Sequence, residues 1–587
     1  MLSLHQSPLI VSASAASRLP RWALLIVLAT LALAGLGGHY FWNARDEQVF
    51  GLIWSMASGG WDLWALPAIA GEPYRATGPA IAWAGALLVR LTGGFASPIL
   101  VAKASGLIWF ILAAGSVWYA TWHLARRDEA QPVPLLFSEE ASPRDYSRTV
   151  ADAAALLFVA SFGLFARLHE IGLPIVILAC WALGLAGTVW SLPHKKAGPA
   201  VAGAAAGLLA LCGSLVWAAP LLASSLLGFL FVKAFKDGRA LRVVIATVCA
   251  LAVFALWPLA ALAAGASLSA WSEAFEAVQA AARAAPRLSD WSWLLRNFIW
   301  YLCPMWPFAA YAVYAWRRVI GRPQTMLPLI ASGCALSTLL FASGPAENSL
   351  IAAAPAVAAL ASFGLASVKK GAWKNFLDWF SATIFTLAAV ALWAYYIAWC
   401  TGYPPKMAAS VARLAPSVVP WADGSLLFMT AAAGLLWLGI VAWRLVRRPK
   451  ALWRGPWLAT LGITLIWVTG TALFSGWLDA YRSNAPVARE IAGKLRIFGY
   501  VPGDCVAPDG VPSNLRGLLG YAGVRFDEKS GTCRFMLSRS KEGLAAPEDK
   551  IGIPSAFAKE DDLYYLRPGS ARPLNPAARP ETDDDEE

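Results

Sequence analysis

The chain has 587 residues, of which 58% are hydrophobic and 14% charged, against roughly 25% charge in a soluble domain. That balance excludes a soluble globular protein. The net charge of +12 lies in short Lys and Arg clusters between apolar stretches rather than on one basic face, which excludes a nucleic-acid-binding surface and reads instead as a topology signal.

Taken in chain order, the apolar stretches predict an all-α polytopic membrane protein with about 13 transmembrane helices, each near the roughly 20 residues a span requires. The expected spans are 21–38, 98–121, 150–166, 171–192, 198–214, 217–234, 243–265, 297–316, 326–342, 349–367, 377–399, 424–443 and 456–476. The first is expected to be retained, because "GLGGHY" offers no signal-peptidase site. Residues 79–89 are apolar but short and are expected to lie at the membrane surface. With that segment not spanning, one set of connecting segments holds 23 Lys and Arg and the other 9. The rule that positive loops stay inside then puts residues 1–20 in the cytoplasm and the C-terminus outside.

Three outer parts are large: a first loop at 39–97, a loop at 265–296 and a tail from 477. Within the tail, "NAPVAREIAGKLR" has helical spacing, and "TCRFMLS" and "DDLYYLRP" read as strands. A small extracytoplasmic α/β domain over 477–568 is expected, followed by a disordered acidic segment at 569–587. Of eight cysteines, six lie in or beside apolar segments, while Cys505 and Cys533 lie in the tail. An oxidising compartment permits a Cys505–Cys533 bridge between adjacent strands. Five histidines with no typical ligand spacing give no sign of a metal site.

The first loop carries the chemistry. Asp46-Glu47 lies just outside the first span, followed by Met56-Ala57-Ser58-Gly59-Gly60-Trp61, then Gly71-Glu72-Pro73-Tyr74, then the apolar segment after Pro79. This order resembles the GT-C glycosyltransferases, in particular the lipid A aminoarabinose transferases and the protein mannosyltransferases. The resemblance implies sugar transfer from a polyprenyl-phosphate donor to a lipid, glycan or protein acceptor on the periplasmic face of a bacterial inner membrane. It implies no cofactor beyond that donor. It also puts the catalytic base on Asp46, with Glu47 orienting it or holding the acceptor. A carboxylate is needed there because a hydroxyl is a poor nucleophile until its proton is taken.

The chain departs from the family at three cations. Thr77 and Cys212 stand where relatives carry Lys, and Glu347-Asn348 where they carry Lys or Arg. Arg75, Lys103 and Arg167 remain as candidates for the phosphate, with Tyr74 and Glu170 as further substrate-binding candidates. Two rival readings follow: a relative that binds lipid-linked sugar without transferring it, and a flippase or transporter. Against the second stand span centres almost free of ionisable residues.

Overall fold

The computed structural model describes residues 7–9, 11–133, 141–368, 371–416, 418–420, 424–447, 451–527, 533–541, 550–554 and 562–569. The expected acidic segment lies outside these, apart from Gly569.

The chain opens with α1 (Arg21–Leu33). The first loop contributes α2 (Ala44–Ser58), the hairpin β1 (Ala68–Ile69) and β2 (Glu72–Pro73), and α3 (Ala80–Thr92). The bundle continues with α4 (Pro98–Ala125), α5 (Pro143–Val159), α6 (Leu173–Trp190), α7 (Ala197–Cys212), α8 (Leu215–Phe231), α9 (Arg239–Phe254) and α10 (Leu256–Ala263). Next come α11 (Leu268–Ala281), α12 (Leu288–Tyr301), α13 (Met305–Trp316), α14 (Pro323–Ser337) and α15 (Glu347–Ser367). The last helices before the tail are α16 (Gly371–Thr401), α17 (Pro405–Leu414), α18 (Gly424–Arg447) and α19 (Arg454–Arg482). The tail holds α20 (Ala485–Ile497), β3 (Val506–Asp509), α21 (Ser513–Tyr521), β4 (Phe535–Lys541), β5 (Lys550–Pro554) and β6 (Asp562–Pro568).

Among the described residues, seven helical segments are long and apolar enough to cross a membrane: α4, α6, α9 with α10, α15, α16, α18 and α19. Others are shorter than the sequence suggests, and prolines account for part of this. The expected span at 297–316 is split between α12 and α13, with Pro304 at the junction. Pro258 sits in the first turn of α10, where its missing N–H costs nothing, and α9 stops just before it. The segment expected at the membrane surface is α3, thirteen residues long, with one side packed on α2 and α4.

Helix α15 runs through the centre of the bundle and is buried along nearly its whole length. Its Ala-rich sequence, with Gly364 facing the Phe308 carbonyl, lets α13 approach closely, as small residues do between membrane helices. In the tail the sheet order is β3-β4-β6-β5, with β3 parallel to β4 and the other pairs antiparallel. Cys505 and Cys533 are joined by a disulfide, their Cα atoms 4.9 Å apart.

The tail is seated on the first loop. A Cβ on Gly51 of α2 would come within 2.8 Å of the Gly517 backbone on α21, so only glycine at both positions allows this contact. The Phe526 N–H donates to the Ala70 carbonyl at 2.9 Å, binding the tail to the β1–β2 turn. Phe50 and Trp54 of α2 pack edge-on against Tyr521, with centroids 5.2 and 4.9 Å apart.

Candidate active site

The N-terminus of α2 is built by its sequence. Asn43 caps the helix, its Oδ1 accepting the Asp46 N–H at 2.8 Å, while Asn43 Nδ2 donates back to Asp46 Oδ2 at 3.0 Å. This is a reciprocal cap of the kind that stabilises a first turn by about 1 kcal/mol. Asp46 and Glu47 in that turn also meet the positive end of the helix. Val49, Phe50, Leu52, Ile53 and Met56 bury the apolar side of α2 and fix its rotation.

Asp46 is 6% exposed. Its Oδ1 accepts the backbone N–H groups of Ile171, at 3.0 Å, and of Gly172, the N-cap of α6, at 2.8 Å. Burial pushes its carboxyl above the usual range, and the nearby Glu170 adds to that push. The three donors from Ile171, Gly172 and Asn43 oppose it. A carboxylate has about four acceptor positions, so one remains on Oδ2.

Glu47 faces the other way. Its Oε1 accepts the Asn484 N–H at 2.7 Å and the Ser483 hydroxyl at 3.2 Å. Its Oε2 accepts Asn484 Nδ2 at 2.8 Å and Asn514 Nδ2 at 3.1 Å. Burial raises its carboxyl to about 7 even so. Glu47 thus ties α2 to the start of α20 and to α21.

A buried ion network adjoins Asp46. Arg167 donates to Glu170 at 2.5 Å and to Glu347 at 2.8 Å, and Arg45 approaches the same Glu347 oxygen at 3.6 Å. Burial raises the Glu170 carboxyl, with Arg167 and Arg45 opposing it. Glu347 is the first residue of α15 and Gly172 caps α6, so the positive ends of α2, α6 and α15 converge on this point. Lys103, on α4, donates to the His39 carbonyl at 2.7 Å, lies 2.9 Å from His39 Nδ1, and sits 5.6 Å from the Phe41 ring centre. Burial, and then Lys103, lowers His39 to about 4, leaving its ring neutral.

The remaining candidates lie at the loop's hairpin. Tyr74 is buried, its hydroxyl 3.4 Å from Gln48 Oε1. Arg75 is exposed, and no hydrogen bond or ion pair among the described residues joins it to the Asp46 network. Beyond it, Thr77 Oγ1 is buried with no hydrogen-bond partner among the described residues. A Cβ on Gly78 would meet the Leu211 carbonyl oxygen at 2.0 Å. The backbone beside Thr77 therefore rests on the backbone beside Cys212, bringing together two positions at which the family resemblance implies Lys. Asn348 Oδ1 is likewise buried without a partner among the described residues.

Sequence reasoning missed several members of this site. Asn43 was findable as a helix cap. Gly172, Asn484 and Asn514 carry no local signal, because their partners stand 126, 437 and 467 residues away. Glu347 stood out only as a departure, although it is the acidic residue shared by Arg45 and Arg167. Among the described residues no group of three His, Cys, Asp or Glu side chains is placed to hold a metal ion.

The architecture is a helical bundle whose first large loop carries the acidic pair, and it shares its fold with solved GT-C structures. Comparison with solved structures places it beside ArnT from Cupriavidus metallidurans. The crystal structure of that protein bound to undecaprenyl phosphate matches with a TM-score of 0.65 at 14% identity, covering 93% of this chain and 97% of that one. Its apo structure matches with a TM-score of 0.61 at 16% identity, covering 89% and 92%. No family model matches the sequence, and no curated protein does either.

Proposed function

We propose that this chain is a membrane glycosyltransferase that moves a sugar from a polyprenyl-phosphate donor to a lipid, glycan or protein acceptor at the periplasmic face. The observation that carries the reading is Asp46, buried at the meeting of three helix N-termini in a fold shared with a protein that binds undecaprenyl phosphate.

In this reading the acceptor oxygen attacks the anomeric carbon as the bond from that carbon to the lipid phosphate oxygen breaks. The phosphate leaves with the electron pair, and the hydroxyl proton passes to Asp46 Oδ2. One in-line displacement inverts the anomeric centre. Asp46 Oδ1 is held by two backbone donors, so the carboxylate cannot swing away as it takes the proton. The converging helix ends and Arg45, Arg167, Lys103 and Arg75 supply the positive field the leaving phosphate needs. Glu47 positions α2 against the tail and takes no proton from the acceptor.

A second reading, binding of lipid-linked sugar without transfer, is favoured by the absence of cations at Thr77, Cys212 and Asn348. One experiment separates them. Mass spectrometry of the detergent-extracted protein should detect a co-purifying polyprenyl-phosphate sugar, and added acceptor should consume it with release of polyprenyl phosphate. Lipid that co-purifies but is never consumed supports the second reading. No such lipid, together with no binding of added donor, overturns both.

A further inference from the structure

Three neutral side chains near the Asp46 site each keep one buried polar atom without a hydrogen-bond partner among the described residues: Ser214 Oγ, Gln279 Nε2 and Asn348 Oδ1. Ser214 is 1% exposed, and Gln279 and Asn348 are 5% exposed. A serine before a helix ordinarily turns its hydroxyl onto the first free N–H groups. Ser214 precedes α8 yet makes no such bond. Instead Gln279 Oε1, from α11, accepts the Leu215 N–H at 2.9 Å. The α8 terminus thus takes an acceptor from another helix, and the Ser214 hydroxyl stays available.

A closed path of contacts joins the three residues to Asp46. The Gly172 N–H donates to Asp46, and the next residue, Leu173, packs on Gly213, where a Cβ would come within 2.9 Å of it. Gly213 leads to Ser214 and Leu215, and Leu215 is bonded to Gln279. Just beyond Gln279, the Ala281 carbonyl accepts the Ser343 hydroxyl and the Ala282 carbonyl accepts the Ser343 N–H at 2.8 Å. Asn348 opens α15 shortly after, its Nδ2 lying 3.6 Å from where a Cβ on Gly344 would stand. Its neighbour Glu347 is held by Arg167, which also holds Glu170. The Ile171 N–H then returns the path to Asp46.

The three atoms differ in what they can bond. Gln279 Nε2 only donates, Asn348 Oδ1 only accepts, and Ser214 Oγ does either. A phosphate offers only acceptors and an ammonium only donors, so neither satisfies all three. Hydroxyl groups do. An amino group would also seek a free carboxylate, and Glu347 is already engaged by Arg167. We propose that Ser214, Gln279 and Asn348 form the subsite that holds the hydroxyls of the transferred sugar, and that this sugar is neutral. The assignment rests on the glycosyltransferase reading above. Leaving a buried polar atom unpaired is costly, and a bound sugar relieves that cost at three places while fixing its own orientation toward Asp46. Asn348, which stands where the family resemblance implies a cation, is then a sugar contact.

The test uses the full-length protein in detergent, titrated by native mass spectrometry with undecaprenyl phosphate and with its glucose, mannose, galactose, arabinose and aminoarabinose conjugates. At least one neutral sugar should add about tenfold in affinity over undecaprenyl phosphate alone, and aminoarabinose should add less than that sugar. Ser214→Ala should cut the gain about fivefold, the scale of one neutral hydrogen bond. The double variant Ser214→Ala, Asn348→Ala should erase it, with undecaprenyl phosphate bound as in wild type. Because the Ser214 hydroxyl has no partner to lose among the described residues, Ser214→Ala should not lower the unfolding temperature of the lipid-free protein. The assignment is overturned if no neutral sugar adds affinity, if aminoarabinose adds the most, or if the double variant keeps the gain. It is also overturned if the variants lose undecaprenyl phosphate itself, or if Ser214→Ala unfolds earlier, since the hydroxyl would then serve the phosphate or the fold. Wild type that binds neither undecaprenyl phosphate nor any conjugate overturns the glycosyltransferase reading as well, which the other outcomes leave standing.

Discussion

Glu47 and Asn484 are bonded twice, the backbone N–H of Asn484 reaching Oε1 at 2.7 Å and its side-chain amide reaching Oε2 at 2.8 Å. Through this pair, and through Asn514, the acidic first turn of α2 is joined to the tail. The second carboxylate of the Asp-Glu pair thus orients α2 from behind, while the first faces the ion network.

Glu47→Gln should therefore loosen the tail. The substitution turns one acceptor oxygen into a donor that faces other donors, so a loss of roughly 2–4 kcal/mol is expected, read as a lower unfolding temperature and faster proteolysis between α19 and α20. The pH dependence gives a sharper check. The folded value of Glu47 is about 7, against an ordinary value of 4.5, so the folded state binds the extra proton between those two pH values. Its contribution to stability is fully present below about 4.5 and is lost as pH rises through 7, a swing of roughly 3 kcal/mol. Wild type should thus gain stability relative to Glu47→Gln on going from pH 8 to pH 5. A pH-independent difference between the two proteins would mean that Glu47 does not titrate in this window.

Asp46→Asn should abolish transfer while the protein still folds. Asparagine keeps an Oδ1 for the Ile171 and Gly172 N–H groups, so α2 and α6 stay joined, but the base is gone. The expected loss is about 10²–10⁴-fold in the rate of transfer from a polyprenyl-phosphate sugar, with donor binding within a few-fold of wild type. A rate within a few-fold of wild type would remove Asp46 from the mechanism.

Glu347 is the carboxylate that Arg45 and Arg167 share. Glu347→Gln should lower stability by about 1–3 kcal/mol and leave more positive charge beside Asp46. Binding of undecaprenyl phosphate, measured by isothermal titration, should then tighten by roughly tenfold, the effect of about 1.4 kcal/mol of added attraction. Weaker binding instead would make Glu347 part of the substrate site.

How much of this was legible in the sequence depends on how local each signal is. The helical bundle was legible because its apolar runs are continuous. The start of α2 was only partly legible: the Asp46-Glu47 pair stood out in the sequence, but the Asn43 cap that places both residues inside the first turn of the helix did not. The two helices in place of one span at 297–316 were harder, since apolar composition alone does not say where the chain breaks; only Pro304 hinted at it. The sharing of Glu347 by two arginines was out of reach, because it needs α15 to be brought beside both the first loop and the α5–α6 connection. The seating of the tail on α2 was also out of reach: it rests on Gly51, Gly517 and side-chain amides, residues whose partners no periodicity reveals.

The last prediction concerns the phosphate cation of the first loop. Thr77 stands where the family resemblance implies Lys, its hydroxyl buried and without a partner among the described residues, and the adjacent Gly78 rests on Leu211 beside Cys212, the second such position. Arg75, two residues earlier and exposed, is the nearest cation in sequence, and its planar fork can donate two hydrogen bonds to one phosphate. Arg75→Ala should weaken donor binding by roughly 1.5–3 kcal/mol, or one to two decades in affinity. Because Arg75 is exposed, the unfolding temperature should hardly move, which separates a binding role from a folding one. Adding Thr77→Lys should recover part of the affinity, since an ammonium there would stand close to the Cys212 backbone where the second lysine of relatives is missing. If Arg75→Ala binds donor as wild type does, Arg75 is an interfacial anchor, the hairpin of the first loop has no phosphate cation of its own, and binding without transfer becomes the better account of the chain.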